Sequence, residues 1–158
     1  MRALFIAAAL ALTTLPAMAD QLTIDRIVNG GSLSGPAPMG LQLSPDGQRV
    51  TFLRAKAGDQ HTFDLWEYRL KDGSTQLLVD SRTLAPEGEH YSDAEKARRE
   101  RARTAGLHGI IDYQWSPDGS KLLFPIAGTL YLYDLSAPAA KAVLKLDTGG
   151  DAIDPKIS

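Results

Sequence analysis

The sequence predicts an all-β protein built from repeated four-stranded antiparallel sheets, and a duplicated turn motif is the main reason. The motif Ser-Pro-Asp-Gly occurs at Ser44–Gly47 and again at Ser116–Gly119. Each copy lies between two alternating apolar runs, which is typical of two strands joined in a hairpin. Proline presets φ at the second turn position, aspartate bonds nearby backbone, and glycine takes the positive φ that closes the turn. A hairpin repeated at long range predicts a repeat architecture.

Residues 41–80 are predicted to form the first four-stranded unit. Its first hairpin is centred on Ser44–Gly47, and a polar loop is expected at Lys56–His61. The third and fourth strands are expected at Leu65–Leu70 and Thr75–Val79. Four consecutive antiparallel strands in about forty residues are the content of one blade of a β-propeller.

Residues 113–146 repeat the pattern and predict a second blade. The strands after its first hairpin are expected at Thr129–Leu135 and Lys141–Leu146. Ile157-Ser158 follows Trp115-Ser116 by one blade period, so residues 147–158 are expected to begin a third blade. The prediction for residues 20–158 is therefore an incomplete N-terminal β-propeller domain whose chain continues beyond Ser158.

Residues 81–112 are an insertion between the two blades, and they carry a helix signal. Ser92 and Glu95 match a capping box, a charged helix is expected to Thr104, and Gly106 is placed to end it. The arginines could form a basic surface for an anionic partner. A solvated helix over the blade edge is the favoured interpretation, because the segment has no broad apolar face and nearby acids balance the charge. Those acids are Glu87, Glu89, Asp93, Glu95 and Glu100.

The first nineteen residues have the pattern of a signal peptide. Met1-Arg2 is a short basic region, residues 3–15 are apolar, and small residues precede an expected cleavage between Ala19 and Asp20. An uncleaved anchor helix is the alternative, but the apolar run is short for a bilayer. Residues 1–19 therefore predict export, with a periplasmic or secreted chain that has no membrane contact after cleavage. The chain contains no cysteine, so no disulfide or thiolate chemistry is expected.

Composition and motifs indicate no catalytic chemistry within these 158 residues. A net charge of −2 gives no indication of a nucleic-acid partner. Glu87, Glu89 and His90 could suggest a metal site, but their spacing matches no established ligand geometry, and a surface loop is favoured. Five aromatics could form a ligand platform, but blade packing is the favoured explanation because all five fall at strand positions: Trp66, Tyr68, Trp115, Tyr131 and Tyr133. No catalytic, substrate-binding or metal residue and no cofactor is predicted.

Four segments together resemble the start of bacterial dipeptidyl peptidase IV, a family of exported serine peptidases of the prolyl oligopeptidase type. They are Gly40–Leu53, Asp64–Arg69, Ala94–Gly106 and Gln114–Phe124. The resemblance runs from about Asp20 to the end of the chain. The turn motif is shared by many periplasmic propellers and is only moderately specific. The strand D-L-W-E-Y together with the charged helix makes the resemblance considerably more specific to this family.

The resemblance implies an eight-bladed propeller followed by an α/β-hydrolase domain that holds the catalytic Ser, Asp and His. It also implies a glutamate pair, in a later propeller insertion, that binds the amino terminus of the peptide substrate. Neither motif has a matching position here. Mammalian members carry a substrate-contacting arginine in the hairpin corresponding to Pro125–Thr129, which is shorter here and has none. The implied partners are peptide substrates and the hydrolase domain of the same chain, and the parent enzyme could form a homodimer.

Three hypotheses about function follow. In the first, the chain is the propeller part of a peptidase that removes dipeptides with Pro or Ala at the second position, and the chain alone has no activity. The second is a non-enzymatic periplasmic propeller that binds proteins. The third is a related oligopeptidase or acylaminoacyl peptidase.

Overall fold

The computed structural model describes residues 23–24, 37–150 and 155–158. The chain divides into two compact units, Met1–Gly35 and Pro36–Ser158, and every element named below lies in the second. The expected signal peptide, residues 1–19, and its cleavage between Ala19 and Asp20 lie outside the described residues. Within the described ranges, no helix has the length and apolar character needed to cross a membrane.

Two antiparallel four-stranded meanders form the fold, and each pairs its strands in chain order. Blade 1 consists of β1 (Met39–Leu43), β2 (Arg49–Lys56), β3 (Asp59–Arg69) and β4 (Thr75–Val79). Blade 2 consists of β6 (Gln114–Trp115), β7 (Lys121–Ile126), β8 (Thr129–Asp134) and β9 (Val143–Leu146). The all-β fold with repeated four-stranded blades is confirmed.

The insertion between the blades contains more regular structure than the single helix expected. A one-turn helix, α1 (Ser81–Leu84), follows blade 1 directly, and α2 (Asp93–Arg101) is the charged helix. The short strand β5 (His108–Gly109) then pairs in parallel with β3 at Thr62 and Phe63. The chain thus returns to blade 1, beside the first part of β3 that β4 does not reach, before it enters blade 2.

The prediction of a loop at Lys56–His61 is wrong, because strands occupy most of this segment. β2 continues to Lys56 and β3 begins at Asp59, which leaves only Ala57 and Gly58 in the turn. Gly58 has φ of +79°, the conformation that favours glycine in such turns. The polar residues are there because this end of the β2–β3 hairpin lies beyond the apolar core and faces solvent. They do not mark a loop.

The two Ser-Pro-Asp-Gly turns are held by the same side-chain network. The Ser44 hydroxyl donates to Asp46 and accepts from the backbone N–H of Arg49 at 3.1 Å. In blade 2 the Ser116 hydroxyl donates to Asp118 at 2.6 Å and accepts from the N–H of Lys121 at 2.9 Å. The bond from Ser116 contributes most to lowering the pKa of Asp118, to about 2. Both serines are buried, so the first residue of the motif joins the turn to the following strand.

Gly109 occupies a position where no side chain fits. Its φ is +74°, and an added Cβ would lie 2.3 Å from the carbonyl oxygen of Phe63 and 2.7 Å from Ser81 Oγ. The first of these atoms is backbone of the paired strand β3, which cannot rotate away. Glycine is therefore required for β5 to approach blade 1.

We expect Gly109→Ala to lower the free energy of unfolding by about 3 kcal/mol or more, since positive-φ strain adds to a backbone overlap. Urea denaturation followed by circular dichroism measures the loss. Gly58→Ala is the matched control, because its φ is +79° but nothing lies within 4 Å of the added Cβ. It should cost only the strain, about 1 kcal/mol. Equal losses for the two variants would contradict the packing argument.

Candidate functional site

The interface between the two blades contains most of the apolar core. Blade 1 contributes Leu53, Phe63, Leu65 and Val79 on one face. The facing residues from the insertion and blade 2 are also buried: Ile110, Tyr113, Leu122, Phe124, Ile126 and Tyr131. The rings of Phe124 and Tyr131 stack with their centroids 5.7 Å apart. This face-to-face packing is the way in which propeller blades bury their sheets.

Polar bonds across the interface fix the position of blade 2 on blade 1. The indole N–H of Trp115 donates to Thr51 Oγ1 at 3.0 Å, and the Tyr113 hydroxyl donates to the carbonyl of Gly40 at 2.6 Å. Burial raises the pKa of Tyr113 to about 12, so the phenol remains a donor. The aromatic ligand platform considered from the sequence is therefore not required to explain Trp115, Tyr131 or Tyr133, since all three pack against the core.

Glutamines at equivalent positions of the two blades bond to backbone carbonyls later in the chain. Gln42 in β1 donates through Nε2 to the carbonyl of Tyr113 at 2.9 Å. Gln114, at the same place before the second turn, donates through Nε2 to the carbonyl of Pro155 at 2.8 Å. Pro155 follows Tyr113 by the blade period of 42 residues. Gln114 thus contacts a residue one predicted blade period after Tyr113, and the third blade expected at residues 147–158 stays a prediction.

Two buried carboxylates in the D-L-W-E-Y segment stabilise blade 1. Asp64 accepts from Lys56 Nζ at 2.7 Å and from both the N–H and the hydroxyl of Ser81 at 2.8 Å. Glu67 is fully buried and accepts from Arg69 and Gln76 at 2.6 and 2.8 Å, while Arg49 lies 3.4 Å away. The sequence analysis assigned neither residue a role. Their fixed partners indicate a structural function.

The charged helix α2 is anchored by ion pairs and is not fully solvated, contrary to the favoured interpretation. Ser92 caps it by accepting from the N–H of Glu95 at 3.3 Å, as expected. The Glu95 side chain is buried and pairs with Arg98 and Arg99 at 2.7 and 2.8 Å. Arg99 lies over the Tyr91 ring, 4.0 Å from its centroid, and donates to the carbonyl of Leu107 at 2.8 Å.

The end of α2 also differs from the expectation. The helix stops at Arg101, and Arg103 rather than Gly106 takes the left-handed conformation, with φ of +58°. The N–H of Thr104 donates to the carbonyl of Arg99 at 2.8 Å. This bond, between residues five apart, is the one that defines a Schellman cap. A non-glycine residue holds this conformation because the cap bonds stabilise it.

A cleft of about 560 Å³ lies where the insertion meets β3 and β5. Glu89 is mostly buried there, contrary to the expected surface loop, and it accepts from the N–H of Gly109. Its other oxygen has no hydrogen bond within the described chain and lies 3.5 Å from His108 Nδ1. The lining residues are Thr62, Ser81, Arg82, Ala85, Pro86, Gly88, Glu89 and His108.

The cleft does not assemble a nucleophile with a base. Ser81 is the buried hydroxyl, and it donates to Asp64, whose second oxygen bonds Lys56. Among the described residues no group of three or more His, Asp or Glu side chains could hold a metal ion. Glu87 and His90 are exposed. The arrangement stabilises the insertion against blade 1.

No protein-family model matches the chain. Among solved structures, the chain is similar to the β-propeller domain of the Trilobed protease from Pyrococcus furiosus, described as having an open velcro topology. The identity is 16%, the TM-score is 0.41, and the match covers 70% of this chain and 29% of that one. The chain thus spans less than a third of that structure.

We expect Gln42→Ala to lower the free energy of unfolding by about 1 kcal/mol, because it removes the bond to the Tyr113 carbonyl at the blade interface. Urea denaturation at neutral pH measures the change. Gln48→Ala is the control, since Gln48 is exposed in the first turn and should change stability by less than about 0.5 kcal/mol. The glutamine link has no role if both variants match the parent chain.

We expect Glu95→Gln to destabilise the chain by about 3 kcal/mol at pH 7, because buried Arg99 loses its counter-charge. Hydrogen bonds and charges of Arg98 and Arg99 lower the pKa of Glu95 below its ordinary value of 4.5. Its contribution is therefore present above about pH 4.5 and is lost as the pH falls through the lowered folded-state pKa. Unfolding free energies of both proteins between pH 7 and pH 3 should converge at low pH. Glu100→Gln, at an exposed position of the same helix, should lie close to the parent chain throughout.

Proposed function

We propose that this chain is the N-terminal propeller part of an exported serine peptidase that removes N-terminal dipeptides with Pro or Ala at the second position. One observation carries the proposal: the segments that resemble the peptidase family in sequence are also defined structural elements of this chain. The segments that resemble bacterial dipeptidyl peptidase IV are the two turn-bearing hairpins, the strand with buried Asp64 and Glu67, and the anchored helix α2. The two hairpins pack on each other across the blade interface, and Asp64 of the strand bonds Ser81 at the start of the insertion that contains α2.

The proposed role of the propeller is to limit access to a hydrolase site and to help measure two residues from the peptide's amino terminus. The chemistry itself would be acyl transfer to a base-activated serine with an oxyanion hole, supplied by a hydrolase domain outside these 158 residues. The described residues would contribute rigid blades. Export rests on the signal-peptide pattern at residues 1–19 and would place the enzyme in the periplasm or outside the cell.

The proposal is tested on the gene that encodes the chain and on its complete product. The reading frame beyond Ser158 should continue into further Ser-Pro-Asp-Gly-type turns, a glutamate pair and a late Gly-x-Ser-x-Gly motif. The complete product should release p-nitroaniline from Ala-Pro-p-nitroanilide and react with a fluorophosphonate probe, and the 158-residue chain should do neither. Replacing the serine of the late motif by alanine is the control for both signals.

The outcomes distinguish the alternatives. A reading frame that ends after the last blade, without a serine motif, would favour the protein-binding propeller. A serine motif without a glutamate pair, together with cleavage of blocked or internal peptide bonds, would favour an oligopeptidase or acylaminoacyl peptidase. A stop directly after Ser158 would contradict the peptidase proposal for this product.

A further inference from the structure

The carboxylate of Glu89 connects the insertion to two successive residues of β5. Its Oε1 accepts from the backbone N–H of Gly109. Its Oε2 lies 3.5 Å from Nδ1 of His108, and the Glu89 side chain is only 11% exposed. We call Glu89 together with His108 and Gly109 the clasp.

The clasp holds β5 at the place where it pairs with blade 1. β5 is two residues long and lies in parallel register with Thr62 and Phe63 of β3. The next residue, Ile110, is fully buried and donates its N–H to the carbonyl of Phe63 at 3.0 Å. Because so short a strand has few backbone bonds of its own, a side chain that holds it has a large effect on how often it detaches.

One oxygen of this carboxylate is not satisfied. Oε2 of Glu89 is shielded from solvent and has no hydrogen bond to any residue that the structure describes. A buried polar atom without a partner is costly, and more so when it carries charge. Nδ1 of His108 can supply the bond, since a shift of about 0.5 Å would bring it within the usual N–H···O distance.

The protonation state of His108 decides how well that bond forms. A neutral imidazole carries a proton on one nitrogen only, so in one of its two tautomers Nδ1 turns a lone pair toward the carboxylate. An imidazolium donates from both nitrogens and adds a charge-assisted attraction. The His108 side chain is 49% exposed, so the ring exchanges protons with solvent while Nδ1 faces Glu89.

We propose that the clasp is a proton-dependent switch: when His108 takes up a proton the insertion is held more firmly on blade 1, and when His108 loses it the insertion is held less firmly. Histidine changes charge between about pH 5 and pH 8. The protonated ring gains a partner in the folded chain, so the stabilisation is present at the acidic end of this range and is lost as the pH rises. Solvent screens the half-exposed ring, so an effect of about threefold on local opening is expected.

The charged groups on the elements packed around the clasp are bonded to other partners or exposed. Arg82 of α1 lines the same cleft and pairs with Asp59 of β3 at 2.7 Å. Arg99 of α2 pairs with Glu95 and donates to the carbonyl of Leu107. The others are the bonded pair Lys56 and Asp64 and the exposed Glu87, His61 and His90. Carboxylate, lysine and arginine side chains ordinarily keep their charge between about pH 5 and pH 8, so the histidines are the groups that change in this range.

The small number of histidines makes the switch assignable to one residue. The chain has three, and they are His61, His90 and His108. Replacing each one singly identifies the group that takes up the proton. The clasp is formed by contacts inside the chain, so its behaviour does not depend on the proposed peptidase function.

Amide hydrogen exchange at about pH 5.5 and pH 8 measures how firmly the clasp holds β5. The complete product of the gene is used, peptides spanning residues 107–111 are read by mass spectrometry, and each rate is divided by the intrinsic rate at the same pH. The N–H groups of Gly109 and Ile110 are bonded to Glu89 and Phe63, so they exchange when β5 detaches. We expect protection at pH 5.5 to be about threefold that at pH 8.

Two variants should each abolish this difference between the two pH values. His108→Gln removes the titrating ring, and Glu89→Gln removes the charge while it keeps an oxygen for the N–H of Gly109. His61→Gln and His90→Gln are the matched controls, because both residues are exposed, and they should keep the difference of the parent chain. Exchange of the β7 and β8 amides in the same experiment checks that every variant is folded.

Three results would overturn the inference. They are equal protection of the parent chain at the two pH values, a pH dependence that persists in His108→Gln, and one that is lost in His61→Gln or His90→Gln. Persistence in His108→Gln with loss in Glu89→Gln would show that Glu89 itself takes up the proton. If Glu89→Gln does not fold, His108→Gln decides alone, since its half-exposed side chain is outside the core.

Discussion

The packing of one blade face on the next is the constraint on which the rest of this structure depends. Each sheet carries apolar side chains on both of its faces. Leaving either face in water would forfeit the free energy that burial of those side chains provides. Leu53 and Leu65 of blade 1 meet Leu122 and Phe124 of blade 2 and become fully buried. A single meander of this kind would expose both faces, and therefore the second blade is part of what stabilises the first.

The charged groups of the chain are arranged around this packing. Asp64, Glu67 and Glu95 are buried, and each is bonded to cationic or amide side chains. Unpaired buried carboxylates would be costly, whereas these networks satisfy the charge and tie the insertion and neighbouring strands to blade 1. These three buried carboxylates thus all have partners that hold the fold together.

Local signals predicted much of the fold because they act over a few residues. The Ser-Pro-Asp-Gly turns and the Ser92 cap are short-range hydrogen-bonding patterns, and both formed where expected. The expectation was wrong at Lys56–His61 and at Gly106. In the first case long-range strand pairing of β2 with β3 outweighed polar composition, and in the second the cap bonds around Arg103 ended the helix earlier. The buried state of Glu89 was also invisible locally, since its partner Gly109 is twenty residues away.

The two meanders, their turns and the charged helix between them follow from local sequence, because turn and cap preferences and period-two alternation are properties of neighbouring residues. The packing of the sheets sets which side of each blade is covered, which carboxylates are buried, and that Gln42 and Gln114 make equivalent bonds. These features depend on desolvation and on partners distant in the chain, so they exist only once the sheets have packed. Leu41 and Phe52 are the clearest example: their counterparts in blade 2, Tyr113 and Phe124, are buried, whereas Leu41 is exposed and Phe52 is half-buried.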